Sequence, residues 1–221
     1  MTLLIFDCDG VLVDSESILI AAEMEFLAAF GLDLDRSEYQ RRFTGTSLRS
    51  WEGAVSDLLT SGGRKAPTPG EFARFAEETD RRVKAGLKAI EGAAGFVSKL
   101  DCPMCVASSS TPSQLEWKLA RAGLKHFFAG RTFSSSEVRK GKPAPDLFLF
   151  AASRMRAVPE GCVVIEDSSS GIRAAKEAGM AAIGLTAGAH CLPEHGARLL
   201  QDGADFVAQT YVQLADYLDI G

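Results

Sequence analysis

Four short apolar runs punctuate the chain, at Leu3 to Phe6, Met104 to Ala107, Cys162 to Ile165 and Ala181 to Leu185, with a weaker one at Asp205 to Val207. They are continuous rather than alternating, the pattern of strands covered on both faces in a parallel sheet. Between the later runs the apolar positions recur at helical spacing over Ser113 to Ala122, Asp146 to Met155 and Ser170 to Ala178, and Gly179 is placed to stop the last of these. Strand alternating with helix predicts an α/β chain built on a doubly wound parallel sheet with right-handed crossovers.

The stretch from Ser15 to Leu87 breaks this alternation. It contains no strand pattern, only amphipathic segments such as Ile18 to Phe30 and Ser47 to Leu59, and reads as an inserted helical lobe over 15–87. Gly62-Gly63 and Pro67-Thr68-Pro69-Gly70 mark loops within it, and Gly92 and Gly95 mark the return to a core made of 1–14 and 88–221.

With 221 residues, 46% of them hydrophobic, the chain can bury one substantial core and a smaller lobe. A net charge of −5, without any Lys/Arg block, leaves no electrostatic footprint for nucleic acid or an anionic membrane. The apolar run after Met1 is too short, and too soon interrupted by Asp7, for a signal peptide or membrane span, so a cytoplasmic protein is expected, as a monomer or small homo-oligomer. Five scattered cysteines do not suggest a disulfide framework. Cys102 and Cys105 form C-x-x-C, but they run into an apolar strand rather than opening a helix, which argues against a redox pair. His126, His190 and His195 read as structural or exposed, and Trp51 and Trp117 as core.

Ligands of an open parallel sheet bind beyond the carboxyl ends of its strands. Asp7, Asp9 and Gly10 follow the first run, Ser108, Ser109 and Ser110 the second, and Glu166, Asp167 and Ser168 the third. Lys142 precedes the helix that feeds the third run. Carboxylates converging on one sheet edge repel unless a hard cation sits among them; Mg2+ suits them, because it takes oxygen ligands and combines one or two carboxylates with substrate phosphate oxygens. Ser108, its neighbouring backbone and Lys142 supply the hydrogen bonds and positive charge that a phosphate needs. One of the three serines also reads as the N-cap of the following helix.

The segments Phe6-Asp7-Cys8-Asp9-Gly10-Val11-Leu12-Val13-Asp14-Ser15-Glu16, Val106-Ala107-Ser108, Gly141-Lys142-Pro143 and Glu166-Asp167-Ser168-Ser169-Ser170-Gly171 resemble, in order, the motifs of the haloacid dehalogenase-like superfamily. The likeness is to its phosphatase and β-phosphoglucomutase branch, and within that to sugar-phosphate and 6-phosphogluconate phosphatases. It implies a Rossmann-like core with a helical cap over 15–87. It implies Asp7 as nucleophile through an aspartyl phosphate, and Asp9 as the acid and base that serves first the leaving group and then water. Asp7, Asp167, Glu166 and the Asp9 backbone carbonyl would be the Mg2+ ligands, and Ser108, Ser109 and Lys142 would hold the phosphoryl oxygens of a small phosphorylated substrate.

Within that superfamily, Asp9 argues against the dehalogenases, whose leaving halide needs no proton. Mutases hold a second phosphate through a cationic cap loop, yet Thr44 and Leu48 fall where they have Lys and Arg, and Leu19 where they have His. Hydrolysis is therefore the expected reaction, with a sugar-phosphate mutase as the alternative and an inactive relative that binds a partner as a remoter one. The polar loop residues Thr44, Thr46, Ser47 and Arg49 are the candidates for substrate selection, and they predict a sugar, sugar-acid or polyol monophosphate.

Overall fold

The computed structural model describes residues 2–43 and 48–220, with Leu48 and Arg49 described through their helical backbone only. A six-stranded sheet takes β1 (Leu3–Phe6), β2 (Met104–Ser108), β3 (Thr132–Ser134), β4 (Cys162–Glu166), β5 (Ala181–Leu185) and β6 (Phe206–Ala208) in the order β3-β2-β1-β4-β5-β6. Every pairing is parallel. The order reverses between β1 and β4, so the connections leaving their carboxyl ends diverge and open a crevice there.

Five strands lie on or beside the predicted runs. The sixth, β3, is a polar three-residue edge strand whose Thr-Phe-Ser sequence carries no apolar run to reveal it. Leu3, Ile5, Cys105, Ala107 and Val164 pack one face against helix residues such as Leu147, Phe148, Ile172 and Leu199. On the other, Phe6 meets the rings of Phe96 and Phe128 edge-on. Both faces are thus dry, which explains the continuous apolar runs. Cys102 precedes β2 and Cys105 lies buried within it; burial raises both thiols, Cys105 to about 12, away from the thiolate form that a redox pair uses.

By packing, the chain divides into one unit of Met1–Ser15 with Leu87–Gly221 and another of Glu16–Gly86. In the first, the chain leaves and returns at one place. Val13 forms an antiparallel bridge with Ala89, and the Asp14 amide donates to the Lys88 carbonyl at 3.0 Å.

The second unit contains α1 (Glu16–Ala29), α2 (Arg36–Phe43), α3 (Leu48–Ser61) and α4 (Pro69–Gly86). Pro69-Gly70 opens α4 rather than marking a loop. The Thr68 amide donates to the Glu71 carboxylate at 2.7 Å and the Glu71 amide to the Thr68 hydroxyl at 3.3 Å, a capping box that makes proline an N-terminal helical residue. Ile20, Leu27, Tyr39, Trp51, Val55 and Leu59 form the core of this unit. No described helix is long and apolar enough to cross a membrane.

One acid is buried in that core: the Tyr39 hydroxyl donates to Glu23 and accepts from the Trp51 indole at 3.0 Å. Burial raises the Glu23 carboxyl to about 7, against the opposing Tyr39 hydrogen bond. A raised native value gives stability that is full below the ordinary 4.5 and is lost as pH rises through about 7. Glu23→Gln keeps an acceptor for Tyr39 and removes the ionisation. Urea unfolding should show a flatter pH profile over this interval and a gain of about 2–3 kcal/mol at pH 8; an unchanged profile contradicts the burial account.

Candidate active site

Asp7 follows β1, and its amide donates to the Ile165 carbonyl at 3.0 Å, so it is fixed by the same ladder that pairs β1 with β4. Glu166 ends β4 and Asp167 follows it, which brings both to the crevice where the strand order reverses. Carboxylate oxygens of Asp7, Glu166 and Asp167 lie within 4.8 Å of one another, and all three residues are buried. Two glycines make this approach possible. A Cβ on Gly10, whose φ is +79°, would stand 2.0 Å from Asp167 Oδ2, and one on Gly171 would stand 1.8 Å from Glu166 Oε1.

Lys142 is the counter-charge. Its ammonium is 2.5 Å from Asp7 Oδ1 and 2.6 Å from Glu166 Oε1, and it also donates to the Ala107 carbonyl at 3.2 Å. The other Glu166 oxygen accepts from the amide and hydroxyl of Ser168, both at 2.8 Å. That hydroxyl in turn accepts from the Gly171 amide and caps α8 (Ser169–Glu177). Burial first, and then the neighbouring carboxylates, raise Asp7 and Asp167 well above the ordinary carboxylate range, with Lys142 opposing. Against the burial that disfavours its charge, Asp7 and Glu166 hold Lys142 protonated.

Asp9 is treated differently. Its Oδ1 accepts from Lys118 at 2.6 Å and from the Ser15 hydroxyl at 2.5 Å, and its Oδ2 accepts from the Ser110 hydroxyl at 2.8 Å. Burial works against the charge, but Lys118 and these hydroxyls outweigh it and lower the Asp9 pKa. The adjacent acids of Asp7-Cys8-Asp9 therefore diverge, one pushed toward the neutral form and one held ionised.

Of the residues expected from sequence, Asp7, Lys142, Glu166 and Asp167 come together, while the Asp9 side chain points to Lys118 and only its backbone remains for a metal role. Ser108 ends β2, is buried, and its hydroxyl accepts from the Ser110 amide at 3.2 Å. Ser109 is exposed, and its carbonyl accepts from the Ser135 hydroxyl. None of the serines caps α6 (Pro112–Arg121); that role falls to Thr111 through a capping box with Gln114. Thr44, Thr46, Ser47 and the Arg49 side chain lie outside the described positions.

Sequence reasoning missed three residues around the site. Lys118 lies on α6 in the stripe of Leu115 and Leu119, and a lysine at a buried helical position was the available signal. His190 and His195 follow β5, where the strand-end rule already applied to β1, β2 and β4 would have found them. His190 Nε2 stands 2.8 Å from Asp167 Oδ2, and His195 Nε2 stands 2.5 Å from the Asp167 carbonyl oxygen. Burial holds His195 below the ordinary imidazole range. His126, by contrast, is exposed.

The donor set fits a hard divalent cation. All three groups are carboxylates; when all three ionise, the Lys142 ammonium between Asp7 and Glu166 offsets one charge, and a dication would offset the other two.

The model of the haloacid dehalogenase-like hydrolase family matches residues 1–179. The chain is 34% identical over 188 residues to 6-phosphogluconate phosphatase of Escherichia coli, covering 85% of this chain and 84% of that protein. It is 32% identical over 184 residues to the fructose-1-phosphate phosphatase of the same organism, covering 81% and 94% respectively. A conserved haloacid dehalogenase-like protein of Agrobacterium tumefaciens superposes with a TM-score of 0.90 at 33% identity, over 99% of this chain and 98% of that one. With its strand order, its acid-lined crevice and these relatives, the chain belongs to the haloacid dehalogenase-like hydrolases.

Proposed function

We propose that this phosphoric monoester hydrolase is a Mg2+-dependent phosphatase of a sugar, sugar-acid or polyol monophosphate, working through an aspartyl phosphate on Asp7. The observation that carries the reading is the buried cluster of Asp7, Glu166 and Asp167 around Lys142 at the sheet's crevice. The substrate class draws on relatives that act on 6-phosphogluconate and fructose 1-phosphate.

Asp7, Asp167, Glu166 and the Asp9 backbone carbonyl would hold the metal, whose chemistry is to offset the charge of the carboxylates and of the incoming phosphate. Lys142 and Ser108 hold phosphoryl oxygens, with the exposed Ser109 beside them. An Asp7 carboxylate oxygen attacks phosphorus, the bond from phosphorus to the ester oxygen breaks, and the departing alkoxide takes a proton from Asp9. Water then attacks the phosphorus of the aspartyl phosphate, gives its proton to Asp9, and restores Asp7. Asp9 thus needs opposite protonation states in the two halves. The resting arrangement with Lys118 suits the second, and the arrival of a phosphate dianion nearby raises its proton affinity for the first. Thr44, Thr46, Ser47 and Arg49 are assigned to substrate selection, and as a mostly uncharged set they favour monophosphates.

Asp7→Asn should abolish phosphate release from sugar phosphates, at least 10³-fold in kcat, while the melting temperature stays within a few degrees of the parent. Retained turnover sinks the mechanism. With the parent protein and a phosphorylated hexose, free phosphate should accumulate in step with substrate loss; an isomeric sugar phosphate without phosphate release would establish a mutase instead.

Lys118→Met leaves the Asp9 carboxylate without its cation. A depressed native pKa contributes stability that is present above the ordinary 3.8 and lost as pH falls through the native value. The variant should therefore lose about 2 kcal/mol in urea unfolding at pH 7, with the deficit closing below about pH 4 as the acid protonates in both proteins. An equal deficit at pH 3 and pH 7 would mean that Lys118 acts through packing alone.

A further inference from the structure

Asp167 is held from two sides by side chains that the reaction itself does not require. To ligate a cation Asp167 must be ionised, and an ionised carboxylate oxygen only accepts, so in that state the 2.8 Å contact of His190 Nε2 with Asp167 Oδ2 is a donation from the imidazole. The Arg198 guanidinium only donates, and it stands 3.0 Å from His195 Nδ1. That fixes the tautomer of His195: Nδ1 accepts, Nε2 carries the hydrogen, and this hydrogen is given to the Asp167 carbonyl oxygen. The side chain of Asp167 is thus held at its carboxylate by one histidine and at its own backbone by another.

The slot for His190 is built by glycines. A Cβ on Gly188 would stand 2.4 Å from His190 Cε1 and 2.5 Å from its Nδ1, and a Cβ on Gly10 would stand 3.0 Å from His190 Cε1 as well as 2.0 Å from Asp167 Oδ2. Any side chain at either position would expel the ring or the carboxylate. His190 and His195 are 3% and 5% exposed, so neither serves as a surface solubilising group. His190 engages Oδ2, and a carboxylate oxygen of Asp167 lies within 4.8 Å of those that Asp7 and Glu166 offer.

We propose that His190, and His195 locked by Arg198, are positioning residues that hold Asp167 in the orientation required to bind the metal. Groups of this kind behind a metal ligand set its rotamer in advance of binding, and their loss costs affinity for the ion rather than the fold. The inference rests on the reading of Asp167 as a metal ligand, and the experiment separates the two.

The probe is Mn2+ alone, an oxygen-seeking ion whose free form is counted by electron paramagnetic resonance, titrated into the whole chain without substrate. Asp167→Asn should abolish binding at the parent's affinity; if it binds Mn2+ as the parent does, the metal-ligand reading itself fails. His190→Ala should raise the Mn2+ dissociation constant about 10–100-fold, and His190→Gln, whose amide nitrogen reaches the place of Nε2, should return it to within about threefold. Arg198→Met, at an exposed position that does not threaten folding, should free the His195 tautomer and weaken Mn2+ by about threefold or more. Loss of binding in Asp167→Asn with parental affinity in His190→Ala overturns the proposal. So does a fall in melting temperature without a change in affinity. If His190→Ala does not fold, Arg198→Met decides alone, and parental affinity there overturns it too.

Discussion

Three carboxylates within 4.8 Å of one another in a buried crevice repel strongly, because little water is present to screen them, and much of the surrounding structure is arranged to keep them there. The sheet ladder fixes the backbones of Asp7 and Glu166, so neither can retreat without breaking strand pairing. Lys142 neutralises one charge and touches two of the acids. Ser168 takes the far oxygen of Glu166 while capping the next helix, and His190 takes an oxygen of Asp167. What is left is a buried carboxylate cluster whose donor set suits a divalent cation. Ordered tightly but unsatisfied, the site is preorganised in the sense that catalysis requires.

Two lysines divide the acids by proton affinity. Lys142 faces the cluster and is shared between Asp7 and Glu166, so it cannot fully offset the burial of Asp7. Lys118 serves Asp9 together with Ser15 and Ser110, and the three overcome burial. Neighbouring residues of one loop thereby acquire opposite proton affinities, the divergence expected where two acids take different parts in one site.

Much of this was legible in the chain because buried parallel strands leave an unmistakable trace: continuous apolar runs that end in polar residues at the place where ligands bind. Asp7, Lys142, Glu166 and Asp167 were readable from that rule and from motif spacing. Strand β3 was not, since an edge strand three residues long needs no apolar run. The helix at Pro69 was hidden by the double use of proline and glycine, which punctuate loops but also start helices when a Thr and a Glu box the first turn. Lys118, His190 and His195 leave only a positional trace in the chain, a lysine in an apolar helical stripe and two histidines after a strand, because the acids they contact lie 23 to 109 positions away.

The bridge between Val13 and Ala89, with the Asp14 to Lys88 hydrogen bond beside it, closes the sheet-bearing unit across the ends of everything between. The intervening 71 residues of Glu16–Gly86 therefore begin and end at one spot on the scaffold, like a cassette plugged into a two-pin socket. An ancestor could lengthen, shorten or rewrite that cassette without moving a single strand out of register. Length and sequence between those two points can thus vary on a different evolutionary clock from the strand ends that carry the acids.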